Sequence, residues 1–152
     1  MTTAAVVVPQ TIHAVWRVIT DPKLLGEWSL ELTDADWTGR WSGPEIGARF
    51  LAGMRLGRFT PDRTAEVAEI EAPFVYAWRT RPSALLPEST LWRFVLEPVA
   101  DGTSITLEIE TLRRNPVVGW AMHRLASHRH DAAAAPEQEL ERLAALLARV
   151  SE

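Results

Sequence analysis

Three groups of side chains in this sequence are of types that do chemistry. The first is a phenol followed by two tryptophan–arginine doublets: Tyr76, Trp78-Arg79 and Trp92-Arg93. A phenol or a guanidinium inside an apolar enclosure donates hydrogen bonds to a bound molecule and can take part in proton transfer. The second is His123, His128 and His130, beside Asp131. On one helix His123 and His130 share a face but stand ~10 Å apart along the axis, so a single metal ion cannot join them. His128 and His130 lie about 200° apart around the axis, which leaves His123 as the general-base or ligand-partner candidate. No metal site is expected. The third is seven tryptophans, at 16, 28, 37, 41, 78, 92 and 120, against one tyrosine and four phenylalanines. Large amphipathic rings fill cores, and they equally line pockets for aromatic or alicyclic molecules.

Other constellations are set aside on physical grounds. Gly39, Gly43 and Gly47 are not a phosphate loop, because no Lys-Ser/Thr follows and a strand, not a helix, comes next. Glu108 and Glu110 share a parity opposite to Ile109 and belong on a wet face. The chain has no cysteine, which excludes disulfides, thiolate nucleophiles and sulfur-ligated zinc. A net charge of −4 with interleaved signs gives no basic footprint for nucleic acid. No apolar run approaches the ~18 residues of a membrane span, and Met1–Val8 lacks the features of a secretion signal. A cytoplasmic location and no cofactor are expected.

The elements that must position these groups follow from period and punctuation. Thr3–Val8 is a β-branched run ended by Pro9 and reads as a strand. Thr11 caps a helix carrying Ile12, Val15, Trp16 and Ile19 at helical spacing, and Asp21-Pro22 introduces a second short helix, Lys23–Trp28. Six further strands are expected: a run ending near Trp37, then Ala48–Leu56, Arg63–Glu71, Phe74–Thr80, Thr90–Glu97 and Thr103–Thr111. Arg81–Ser89 reads as a loop. Asp101-Gly102 suits the tight turn of the last hairpin. From Asn115-Pro116 the composition is helical to Val150, with a kink near Ala132–Pro136, or a break with Pro136 opening a second segment. Leu140, Leu143, Ala144, Leu147 and Val150 form its apolar stripe.

Strand alternation sorts the candidates. Phe50, Met54, Tyr76, Trp78, Trp92, Phe94, Leu107 and Ile109 share the inward parity, and Trp28 with Trp37 or Trp41 stands at the mouth of whatever they enclose. Arg79 and Arg93 then point outward, and a one-residue register slip would exchange them with the tryptophans.

Strands flanked by helices, with a single long helix available to cover one apolar sheet face, define an α+β domain spanning 1–152. Local punctuation adds to this: Val8-Pro9, Val15-Trp16, Ile19-Thr20-Asp21-Pro22, Glu27-Trp28-Ser29, Gly43, Gly47-Ala48-Arg49-Phe50, Glu71-Ala72-Pro73, Tyr76-Ala77-Trp78, Leu91-Trp92-Arg93-Phe94, Glu97-Pro98 and Asp101-Gly102-Thr103. In that order the chain resembles the START-like or SRPBCC superfamily, the birch-pollen-allergen-like helix-grip fold, and within it the bacterial polyketide cyclase/dehydrase family. The resemblance implies a seven-stranded curved antiparallel sheet around a long C-terminal helix, with two short helices after the first strand. It also implies an internal cavity for a lipid-, polyketide- or aromatic-like molecule. Three functions follow as expectations. The first is binding of a hydrophobic small molecule by the inward set and His123. The second is a cyclase, aromatase or dehydratase that polarises a ketone or enolate with Tyr76, Arg79 or His123. The third is an interaction or stress-regulator module without a ligand. A monomer or homodimer is expected.

Overall fold

The computed structural model describes residues 1–30, 32–54, 61–83, 88–113 and 136–150, with only the backbone at 112 and 113. Strand β1, Thr2–Val8, stops at Pro9. Helix α1, Ile12–Ile19, begins where the Thr11 hydroxyl accepts the Ala14 N–H and ends where the Thr20 hydroxyl donates to the Trp16 carbonyl at 2.7 Å. The expected helix over Lys23–Trp28 is two pieces. Asp21 accepts the Lys23 N–H and Pro22 opens a 3-10 turn, Pro22–Leu24, which leads into α2, Leu25–Trp28.

The remaining strands are β2 Leu32–Trp37, β3 Arg49–Met54, β4 Asp62–Glu71, β5 Val75–Thr80, β6 Ser89–Val99 and β7 Gly102–Arg113. They form one antiparallel sheet in the order β1-β7-β6-β5-β4-β3-β2. Every pairing joins sequence neighbours except β1 with β7, where Val8 meets Thr103. Gly102 has φ +148, and a methyl group there would fall on the Val8 carbonyl, so the turn into β7 needs glycine for space as well as conformation. Register shifts between Thr33 and Asp36, Val67 and Glu69, and Ser89 and Thr90 supply bulges that bend the sheet. The result is the curved seven-stranded sheet with a C-terminal helix that the sequence predicts.

Helix α3, Pro136–Val150, packs on β1, β7, α1 and α2. Its buried face is Leu140, Leu143, Leu146 and Leu147. The expected stripe is corrected at two places: Val150 is 53% exposed, while Leu146 is buried. The helix outruns the surface it covers after Leu147. The expected start at Asn115-Pro116 and the kink before Pro136 lie outside the described residues.

Two side chains lock α3 to α2. The Glu139 carboxylate, fully buried, accepts the Leu30 N–H with both oxygens at 3.0 and 3.1 Å. Arg142 donates to the Trp28 and Glu27 carbonyls at 3.1 and 3.3 Å, capping the free carbonyl end of α2.

Candidate functional site

The inner face of the sheet is built in rows. Cross-strand register places Trp78 opposite Trp92 and Trp92 opposite Ile109, and beside that row Tyr76 opposite Phe94 and Phe94 opposite Leu107. The rings use these neighbours. Trp78 and Trp92 stack at 4.9 Å between centroids and 15° between planes. Phe50 meets Trp78 edge-on at 5.6 Å, and Trp37 meets Phe50 at 5.8 Å. Trp28 stands edge-on over Phe94 at 5.6 Å, and Trp16 of α1 does the same to Tyr76 at 5.7 Å. Such contacts add about 0.5–1.5 kcal/mol per pair to the burial of the rings.

The sequence-predicted residues Phe50, Met54, Tyr76, Trp78, Trp92, Phe94, Leu107 and Ile109 are thus brought together as one apolar wall, and Trp28, expected at its mouth, is instead buried in it, 1% exposed, because its ring packs over Phe94. Trp92, Phe94 and Leu107 are 0% exposed, so nothing the size of a water molecule touches them in this state. Met54 at 8% is the most accessible of the set. Trp37 and Trp41 are half-buried at the β2–β3 side, with the Arg40 guanidinium 4.8 Å above the Trp41 ring.

Two of the three proton-transfer candidates lie among the described residues. Arg79 is on the outer face, as strand parity expects, half-exposed and hydrogen-bonded to Glu66, because Trp78 and Thr80 take the inward positions of β5. Tyr76 does face inward, 1% exposed, and burial pushes its phenol above the ordinary value. His123, with His128 and His130, lies outside the described residues.

The inward cation is one that sequence reasoning passed over. Arg63 of β4 is 4% exposed and donates from Nη2 to the Glu88 carbonyl at 2.7 Å. Its parity with Ala65 and Val67, both buried, was the available signal.

The wall also contains polar hydrogens with nothing to bond. The indole Nε1 atoms of Trp28 and Trp92 are buried and have no acceptor. A buried donor without a partner costs about 1–3 kcal/mol, so two within one apolar wall call for an explanation. Among the described residues no group of three or more His, Cys, Asp or Glu is placed to hold a metal ion, and no helix is long and apolar enough to cross a membrane.

A curved antiparallel sheet with an aromatic inner face and a C-terminal helix laid against it is the helix-grip class of protein. The chain belongs to the family described as polyketide cyclase/dehydrase and lipid transport, which it matches over residues 2–148. Solved structures of the same fold include a protein from Mesorhizobium loti, 20% identical, with 97% of this chain and 96% of that one covered at a TM-score of 0.64. A protein from Arthrobacter aurescens is 18% identical, covered at 97% and 85%, with a TM-score of 0.66. DynU16, from the dynemicin biosynthetic locus, is 19% identical with a TM-score of 0.58; 97% of this chain aligns with 46% of it. No curated protein matches the chain.

Proposed function

We propose that this protein holds a hydrophobic small molecule bearing at least one hydrogen-bond acceptor against the inner face of its sheet. The observation that carries the reading is the pair of buried, unpartnered indole N–H groups, Trp28 Nε1 and Trp92 Nε1, in an otherwise apolar wall. The aromatic wall supplies non-directional affinity, about 25 cal/mol per Å² of apolar surface buried. A carbonyl or ether oxygen would relieve the cost of an orphan donor and orient the ligand. Because the wall is closed in the described state, the ligand is admitted only as packing opens. Binding is therefore slower than diffusion. Membership of a family described by cyclase, dehydrase and lipid transport supports the same ligand class. Of the named cyclase candidates, Arg79 is on the outer face, and Tyr76 is a single inward phenol whose O–H can orient a bound acceptor as readily as it can polarise one, so binding is the reading taken first.

The closed wall favours one second reading, an interaction module whose interior is filled. Native mass spectrometry of protein purified without organic solvent, followed by titration with an environment-sensitive apolar dye, separates the two. The binding reading expects a carried-over mass or dye affinity in the micromolar range. No bound mass and no dye binding at about 100 µM, a free energy weaker than roughly 5.5 kcal/mol, overturns it and leaves the filled module.

A further inference from the structure

The outer face of the sheet carries a charge arrangement that the inner wall does not need. Cross-strand register sets Arg49 of β3 opposite Glu66 of β4, and Glu66 opposite Arg79 of β5. Arg81 follows two residues after Arg79, and its N–H bonds the Thr64 carbonyl. All three guanidiniums converge on the one carboxylate. Glu66 Oε2 accepts from Arg49 Nε at 3.2 Å and Arg81 Nη1 at 2.6 Å, and Oε1 accepts from Arg79 Nη2 at 3.3 Å.

One carboxylate cannot neutralise three guanidiniums, so the cluster retains two positive charges on a chain whose net charge is −4. Each guanidinium has five N–H donors and gives one to Glu66, while its side chain remains 44–49% exposed. Glu69 and Glu108 of the same face are bonded to Arg93, and Asp62 lies exposed two positions beyond Thr64. A cleft of about 350 Å³ opens beside the cluster, lined by Arg79, Thr80, Arg81, Pro82 and Ser89.

Two guanidinium forks, one on β5 and one just past its end, with free donors and uncompensated charge at the edge of a cleft, match a compact dianion with several acceptor oxygens. We propose that Arg79 and Arg81, with Arg49 behind them, form a binding site for a phosphoryl group. Glu66 limits the affinity by its own charge. Its charged groups, unlike the aromatic wall, are on the outer face of the sheet, at 44–49% exposure.

The test is titration of the full chain with inorganic phosphate at low ionic strength, following arginine Nε–H resonances by NMR. Saturable shifts of Arg79 and Arg81 in the millimolar range or tighter are expected. Arg79→Gln with Arg81→Gln should weaken binding at least tenfold, with the far-ultraviolet circular dichroism unchanged. Glu66→Gln gives the opposite sign. Removing one negative charge next to a dianion should tighten phosphate binding about threefold to tenfold, the gain shrinking with added salt. Glycerol phosphate, too polar for the inner wall, forms a second arm: tighter binding than inorganic phosphate assigns the group to an organic phosphomonoester, and equal binding assigns it to free phosphate. The proposal is overturned if no Arg79 or Arg81 shift saturates by about 20 mM phosphate. It is equally overturned if the double glutamine variant binds as well as the parent, or if Glu66→Gln weakens binding.

Discussion

Glu139 is the side chain whose loss should say most about how the helix is held over the sheet. It is fully buried, and both its oxygens accept the Leu30 N–H. Glu139→Ala removes a hydrogen bond to a charged group, worth about 1.5–3 kcal/mol, and a favourable acid in the first turn of a helix, worth a further 0.3–1 kcal/mol or so. The expected cost is therefore about 2–4 kcal/mol, which for a chain of this size lowers Tm by roughly 4–16 °C. Glu139→Gln keeps one oxygen for Leu30 but loses the charge, and should cost about half as much. Arg142→Ala frees the Trp28 and Glu27 carbonyls on the same segment. Because both residues pin residues 27–30, their effects should not add: the double variant should be less destabilised than the sum by about 0.5 kcal/mol or more. Urea denaturation of the four proteins measures this. A Glu139→Ala change smaller than about 0.5 kcal/mol, or strict additivity with Arg142→Ala, would refute the latch.

Trp92→Ala should cost about 3–5 kcal/mol in the same denaturation assay, since the ring is 0% exposed and stacked on Trp78. Trp92→Phe should cost far less, within about 1 kcal/mol of zero, because the lost ring surface is offset by removal of a buried donor with no acceptor. For Glu66, burial pushes the carboxyl up, but hydrogen bonds from Arg81 and Arg79 and their charges outweigh it, leaving the group below its ordinary 4.5. A depressed carboxylate contributes stability that is present above about pH 4.5 and is lost as pH falls through the lower folded value. The stability of Glu66→Gln should therefore fall less steeply than the parent's below that pH, and parallel acid-titration profiles for the two would exclude the ion-pair cluster as its cause.

Alternation and turn chemistry were enough to read the strands, because β6 and β7 change side with each residue and Asp101-Gly102 permits only a tight reversal there. The same alternation put Trp78 and Trp92 in and Arg79 and Arg93 out, as the structure shows. Parity states which side a residue faces; it does not state what lies against that side. That the aromatic wall is closed at Trp92 and Phe94, that Glu139 is drawn from a helix of charged composition into the core, and that Glu66 gathers three arginines from neighbouring strands were decided by tertiary contacts. Local sequence carries the period of each element, whereas the partner of a charge is chosen by which strands and helices come to lie side by side. Glu139 and Leu30 stand 109 residues apart, and no local pattern contains that distance.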